Sequence, residues 1–245
     1  MTVINIDTIM KLLKTSCITF VLLFAYTSQA QPSKSTWLTT NIGLNSDWIL
    51  NQNAYGNQEL DYGTKFGLNA SLGLNYYLNA EYGFSTGVGI GNFGQNYQGE
   101  QAGAKATRKV NLNYVQVPLF AMKQLCDPHH PCWLTFGPQL MFLTSGKQTY
   151  SREEGSSLPN PEYLPEGKID VTKWYKPFDL MLNLVFTNLY YMRTNDKVRM
   201  MLSFNAAMSL LDINAKEYQI PNVHDEYNAS RNFYIGVQWG FMFNP

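Results

Sequence analysis

The sequence predicts an all-β protein, an eight-stranded antiparallel up-and-down barrel that crosses a lipid bilayer, preceded by a cleaved signal peptide. Three observations carry this. Apolar residues alternate with polar ones over eight segments, the mark of strands whose two faces meet unlike surroundings. Charge is almost absent from those segments and gathers between them. The connections alternate short and long, as they do when hairpins close one rim of a membrane barrel and longer loops the other.

In chain order, residues 1–30 are expected to be removed. Lys11 and Lys14 form a positive start, Cys17 to Tyr26 ("CITFVLLFAY") a short apolar core, and Ser28-Gln29-Ala30 a small-residue cleavage site. That pattern is a secretory signal read by the Sec pathway, too short to span a bilayer as a helix. Cys17 lacks the small residues that follow a lipid-anchored cysteine. Residues 31–245 then suit one domain. The 18 basic and 18 acidic residues of the chain cancel, so no basic field points to nucleic acid.

The eight segments run roughly over 37–50, 65–79, 81–97, 108–124, 131–145, 173–191, 197–212 and 230–243. In "LNASLGLNYYL", Leu68, Ala70, Leu72, Leu74 and Tyr76 share a face opposite Asn69, Ser71, Gly73 and Asn75. In "YGFSTGVGIG", Tyr82, Phe84, Thr86, Val88 and Ile90 stand opposite Gly83, Ser85, Gly87 and Gly89. The connections after the second, fourth and sixth segments are short. Those after the first, third, fifth and seventh are long and polar, 146–172 the longest.

The apolar face is expected to meet lipid and the polar face the lumen. A soluble barrel of this kind is polar outside and would need charge there. Yet residues 66–80, 82–99 and 132–146 hold no Glu or Lys, and 232–245 no charge at all. Arg or Lys on a lipid face costs about 2–4 kcal/mol at the bilayer midplane, so Leu72→Arg is expected to hurt assembly more than Asn69→Arg. Asp47, Asp179 and Arg199 are the charges expected in the lumen, where eight strands leave little more than room for side chains. A filled interior is therefore favoured over a pore. Trp48, Tyr76, Tyr77, Tyr82, Trp133, Trp174, Tyr190 and Tyr191 are candidates for aromatic girdles.

The last segment, "FYIGVQWGFMF", sets Phe233, Ile235, Val237, Trp239, Phe241 and Phe243 on one face. A spanning sheet must close because lipid cannot satisfy an open edge, so this stripe is expected to face lipid while the strand pairs with 37–50. Tyr234-x-Gly236-x-x-Trp239-x-Phe241 also resembles the terminal signal that the barrel assembly machinery recognises in the outer membrane, although Asn244 and Pro245 follow it.

Cys126-Asp127-Pro128-His129-His130-Pro131-Cys132 admits two readings. Two thiolates and two imidazoles can hold Zn²⁺. Alternatively, Cys126 and Cys132 close a turn as a disulfide, which an oxidising compartment favours; no cofactor is then expected. For catalysis, His224-Asp225-Glu226 is the one other site offering an imidazole beside carboxylates, with no matching serine motif. A solvated loop is the plainer reading.

"YVQVPLFAMKQL" (114–125), "WLTFGPQLMFL" (133–143) and "KPFDLMLNLVF" (176–186) resemble, in order, the PorT-like outer-membrane β-barrel family of Gram-negative bacteria. Tyr114, Val117, Pro118 and Leu119, then Gly137 and Pro138, match its motif; Gln116 stands where that family carries an acidic residue. The resemblance implies an OmpA/OmpX-like barrel in the outer membrane, in contact with outer-membrane lipid, and a possible link to type IX secretion. The expected function is non-enzymatic, structural or partner-binding, exerted through long extracellular loops or the periplasmic rim on a secretion or envelope protein. The alternatives are a small channel or ligand carrier and a lipid-modifying enzyme.

Overall fold

The computed structural model describes residues 35–51, 60–101, 103–126, 131–153, 164–192, 195–221 and 224–244. The expected signal peptide and the Asp127–His130 stretch, with its two histidines, lie outside them. The strands are β1 (Ser35–Leu50), β2 (Asp61–Gly63), β3 (Phe66–Tyr77), β4 (Tyr82–Gln101) and β5 (Ala104–Gln124). They continue as β6 (Cys132–Arg152), β7 (Gly167–Asp170), β8 (Phe178–Met192), β9 (Asn195–Ser209) and β10 (Arg231–Phe243).

Eight of these form a closed antiparallel ring in the order β1-β3-β4-β5-β6-β8-β9-β10. The ring closes where β1 meets β10, from Leu38↔Phe243 to Leu50↔Arg231. Short β2 and β7 are add-ons that pair with β4 and β6. The turns β3–β4, β5–β6 and β8–β9 gather at one rim with the start of β1 and the end of β10, and the β1–β3, β4–β5, β6–β8 and β9–β10 connections gather at the other.

Alternation decides the faces. Ile42, Leu72 and Ile90 are 57%, 62% and 63% exposed, as are Ile235, Val237 and Trp239 of β10, while Asn45, Asn69 and Gln139 point inward and are buried. Exposed apolar groups at this density suit a hydrocarbon surround. The interior is less uniformly polar than alternation suggests. Near the short-turn rim Trp37, Tyr77, Met122, Trp133, Leu189, Met201 and Met242 pack together. Toward the long-loop rim a larger apolar cluster includes Phe93, Tyr114, Met141, Met181 and Tyr234. Amides fill the layer between.

That packing revises two expectations. Tyr77 and Trp133 belong to the inner cluster, 7% and 5% exposed, with ring centroids 4.8 Å apart. Inside a narrow barrel an aromatic ring excludes water better than a small polar group, so these two plug rather than girdle. Asn69 donates to Asn45 Oδ1 (2.8 Å) and accepts from Gln238 Nε2 (3.3 Å), and a Cβ on neighbouring Gly43 would already crowd it. An arginine there would break both of these bonds.

The strands also outrun their expected lengths. Residues 98–107, expected as a long loop, are the end of a hairpin whose ladder reaches Gln101↔Ala104. The two-residue turn uses Gly103 at φ +76°, a conformation glycine adopts without a side-chain penalty. Likewise β6 absorbs residues 146–152 of the expected 146–172 loop, and β7 returns along it. The sixth ring strand starts at Phe178, because residues 172–174 form a 3₁₀ turn instead.

Candidate functional site

On the outer wall of β4, β5 and β6, apolar Val88, Ile90, Val115 and Phe142 give way to a polar row. Asn92 Nδ2 donates to Asn113 Oδ1 and Asn113 Nδ2 to Ser145 Oγ, each at 2.8 Å. Lys65 Nζ donates to Asn92 Oδ1 (3.0 Å) and Asn111 Oδ1 (2.8 Å). This row marks the upper edge of the lipid-facing band. A bulge between Asn113 and Tyr114 shifts the β5–β6 register at the same height, bending the strands as bulges do.

Above it the three strands continue as a free-standing extension. The β4–β5 ladder runs on from Asn92↔Asn113 to Gln101↔Ala104, about 30 Å of strand at ~3.4 Å per residue. Its outer face carries Lys105, Thr107, Lys109, Lys147 and Thr149, all exposed. Its inner face continues the apolar cluster of the long-loop half beyond the ring. Tyr97, Ala106, Val110 and Tyr150 pack with Leu60, Leu164, Val171 and Ile213 from three different connections. Arg108 Nε donates to Gln148 Oε1 (2.7 Å) and lies over the Tyr97 ring at 5.3 Å. Tyr150 Oη donates to Gln101 Oε1 (3.0 Å); burial pushes this hydroxyl above its ordinary range.

One carboxylate gathers the β9–β10 connection and joins it to the segment before β8. Asp212 Oδ1 accepts from the Asn214 and Ser230 backbone N–H groups (3.1 Å each), and Oδ2 from Tyr227 Oη (2.8 Å) and Gln219 Nε2 (2.7 Å). Lys176 Nζ lies 3.8 Å from Oδ2 and donates to the Asp212 carbonyl. Trp174 stacks on Tyr218 at 5.2 Å, outside the wall, which removes it from any girdle. At the end of β7 the Thr172 backbone N–H donates to Asp170 Oδ1 (2.8 Å) and holds that carboxyl below the usual carboxylate range. Sequence reading did not single out Asp212, because nothing in "LLDIN" marks a hub until distant loops converge on it.

The three lumen charges separate. Asp47 and Asp179 are fully buried toward the long-loop half. Asp179 Oδ2 accepts from Ser209 Oγ and Asn232 Nδ2, and Asn232 in turn donates to Tyr114 Oη (3.3 Å). Arg199 faces inward at the short-turn rim instead, over the Trp37 ring. The motif residues take structural places. Tyr114 is buried in the plug; Val117 and Leu119 look outward. Pro118 and Pro138, which lack an N–H, coincide with gaps in the β4–β5 and β5–β6 ladders. A Cβ on Gly137 would press on the Leu119 carbonyl, so glycine lets the strands approach. Cys126 and Cys132 are bonded to each other, with Cα atoms 5.1 Å apart, across the β5–β6 turn. His224 and Asp225 sit in a turn of the β9–β10 connection. Among the described residues no three His, Cys, Asp or Glu side chains converge as a metal group.

Between the two apolar clusters lies a cavity of about 100 Å³ lined by Asn41, Asn69, Gln116, Gln139 and Asn183. Gln139 Nε2 donates to Gln116 Oε1 (2.7 Å), and Asn183 Nδ2 to Gln139 Oε1 and Tyr234 Oη (2.8 Å each). With aromatic and methionine side chains packed above and below it, no continuous axial path exists among these residues. Planar-bilayer recordings of the purified protein are accordingly expected to show no discrete conductance steps; regular steps would mean that the plugs open.

By structure the chain is similar to several solved barrels. Neisserial surface protein A matches at TM-score 0.38 and 10% identity, over 87% of this chain and 100% of that one. Ail, the attachment invasion locus protein of Yersinia pestis, matches at 0.36 and 10%, over 85% and 99%. The outer membrane protease OmpT of Escherichia coli matches at 0.43 and 13%, over 89% and 100%. No curated protein matches the sequence. The sequence profile of the outer membrane protein beta-barrel domain, by contrast, aligns with residues 28–244, nearly the whole length of the chain and every strand of the ring. Together with a closed ring whose outer wall is apolar, that match makes the chain a member of the outer membrane protein beta-barrel domain family, at home in the Gram-negative outer membrane.

Proposed function

We propose that the protein is a non-enzymatic outer-membrane barrel that presents the β4–β5–β6 extension to a protein partner outside the cell. The observation behind this is the extension itself. A barrel that only needed to sit in the membrane would end its strands at the polar row of Asn92, Asn113 and Ser145. Here they continue, stiffened by ladder bonds and by an apolar inner face on which Leu60, Leu164, Val171 and Ile213 of the connections pack. A pre-ordered surface loses little conformational freedom on docking, the general advantage of preorganisation. The exposed face sets Lys105, Lys109 and Lys147 beside Asp61, Glu100 and Asp170, and suits a polar partner of mixed charge.

Two finer readings accompany this one. The motif of Tyr114, Val117, Pro118, Leu119, Gly137 and Pro138 supports a PorT-like assignment, and through it a role beside type IX secretion. Passage to the membrane would follow Sec export and delivery by the barrel assembly machinery, for which the first thirty residues and the β10 stripe are the supporting features.

The test shortens the hairpin. Replacing Gly99–Ala106 by Asn-Gly joins Gln98 to its ladder partner Thr107 through a tight turn and leaves the lipid-facing wall untouched. The shortened variant is expected to enter the membrane normally and to lose a partner that the natural protein retains in cross-linked pull-downs. Recovery of only lipid and assembly machinery with the natural protein, or unchanged partner recovery with the variant, would count against the proposal.

A further inference from the structure

We infer that the periplasmic mouth of the barrel is a binding cleft for the free terminal carboxylate of a peptide, anchored by Arg199. Arg199 lies near the start of β9, in register with Met242 of β10 and Tyr191 of β8, at the rim of short turns that faces the periplasm in barrels of this kind. Its guanidinium is held between two rings, 4.2 Å from the Trp37 centroid and 4.9 Å from that of Tyr191. Cation–π contacts of this sort pin the group in place. Contacts of this kind engage the cation's charge and leave its N–H donors to other acceptors. Among the described residues no acceptor or carboxylate meets those donors, and Nε is buried without a partner.

Arg199 lines a cleft of about 350 Å³, within the size range of small-ligand sites. Trp37, Tyr77 and Trp133 form its apolar side, and Ser35, Gln124 and Asn244 contribute to its rim. The packed plug of Met122, Leu189 and Met201 closes the barrel beyond, so the cleft is blind, a place to bind rather than a way through. A positioned guanidinium edge matches a carboxylate or phosphate through paired hydrogen bonds. Location selects between sources. Arg199 and its walls project to the inside of the strand ring, with the wall itself between them and the inner leaflet. A phospholipid phosphate would have to leave its leaflet to reach them, whereas a soluble chain end enters directly. The amide and hydroxyl groups at the rim supply partners for the peptide's own backbone, and the rings supply an apolar bed for its last side chains.

The experiment uses the detergent-purified natural protein and two probes, N-acetyl-alanyl-alanine as the free acid and the same dipeptide as its amide. Binding is followed by the fluorescence of Trp37 and Trp133, which line the cleft. The acid is expected to bind at least tenfold more tightly than the amide. Arg199→Gln should bring the acid down to the level of the amide, and Arg199→Lys should weaken it severalfold, since an ammonium has neither the fork nor the flat faces. Gel migration of unboiled samples reports whether each variant is folded. Should a variant fail to fold, the acid-against-amide comparison on the natural protein decides alone. Equal binding of acid and amide, or no binding of the acid, overturns the inference. Tighter capture of phosphatidylglycerol vesicles than of the acid would assign the cleft to lipid and overturn it as well.

Discussion

Deleting Phe241–Pro245 is expected to abolish insertion and leave the protein in the periplasm. The residues lost pair on both sides. Phe241, Met242 and Phe243 face Thr40, Thr39 and Leu38 of β1 and Met200, Arg199 and Val198 of β9. Without them the two neighbouring strands carry unpaired N–H and C=O groups at membrane depth, each worth several kcal/mol in a medium that offers no replacement partner. The inner plug fails too. Met242 is fully buried and lies 3.9 Å from the Tyr77 hydroxyl through its sulfur. Deleting only Asn244 and Pro245 removes the bond from Asn244 N–H to the Lys197 carbonyl (2.8 Å) but leaves the β1 and β9 ladders of β10 intact, and is expected to be tolerated. Membrane fractionation with protease shaving of intact cells checks both variants. Normal surface display of the five-residue truncation would mean that β10 does not close the barrel as described.

Leu72→Arg is expected to be the most damaging single substitution on the outer wall. Leu72 faces outward from the middle of β3, between Thr40 of β1 and Val88 of β4. A charge there carries a cost of about 2–4 kcal/mol near the midplane, falling toward zero at the interfaces. Thr107→Arg is the matched control, because Thr107 is exposed and also faces outward but on the extension, beside Gln98 of β4 and Ser151 of β6. The pair therefore varies depth while holding the face constant. Urea unfolding of barrels refolded into lipid should show a loss of the stated size for Leu72→Arg and little change for Thr107→Arg. Equal losses would place the polar row of Asn92, Asn113 and Ser145 inside the bilayer and shorten the extension accordingly. Asn69→Arg is no longer a mild comparison, since the amide it replaces is enclosed by Asn45 and Gln238.

The wall of this barrel was legible in the amino-acid order because a two-residue period is a local property. Every second residue of β1, β3 and β10 meets the same surround whatever its strand partners, so Ile42, Leu72 and Ile235 could be assigned to lipid before any pairing was known. Exclusion of charge from the same segments is equally local, and it separated a membrane wall from a soluble one. The extension was not legible for a related reason. Once strands leave the bilayer both faces tolerate polar groups, the alternation fades, and "QGEQAGAKATRK" reads as loop, although Ala104, Ala106 and Arg108 all turn inward. Its inner face is covered only because Leu60, Leu164, Val171 and Ile213 arrive from separate connections. The same holds for the interior. That Tyr77 and Trp133 would pack together inside, and that Arg199 would lie against Trp37 at one mouth, are outcomes of ring closure. Closure brings together residues as far apart in the chain as Trp37 and Arg199, and no local pattern encodes which of them will touch.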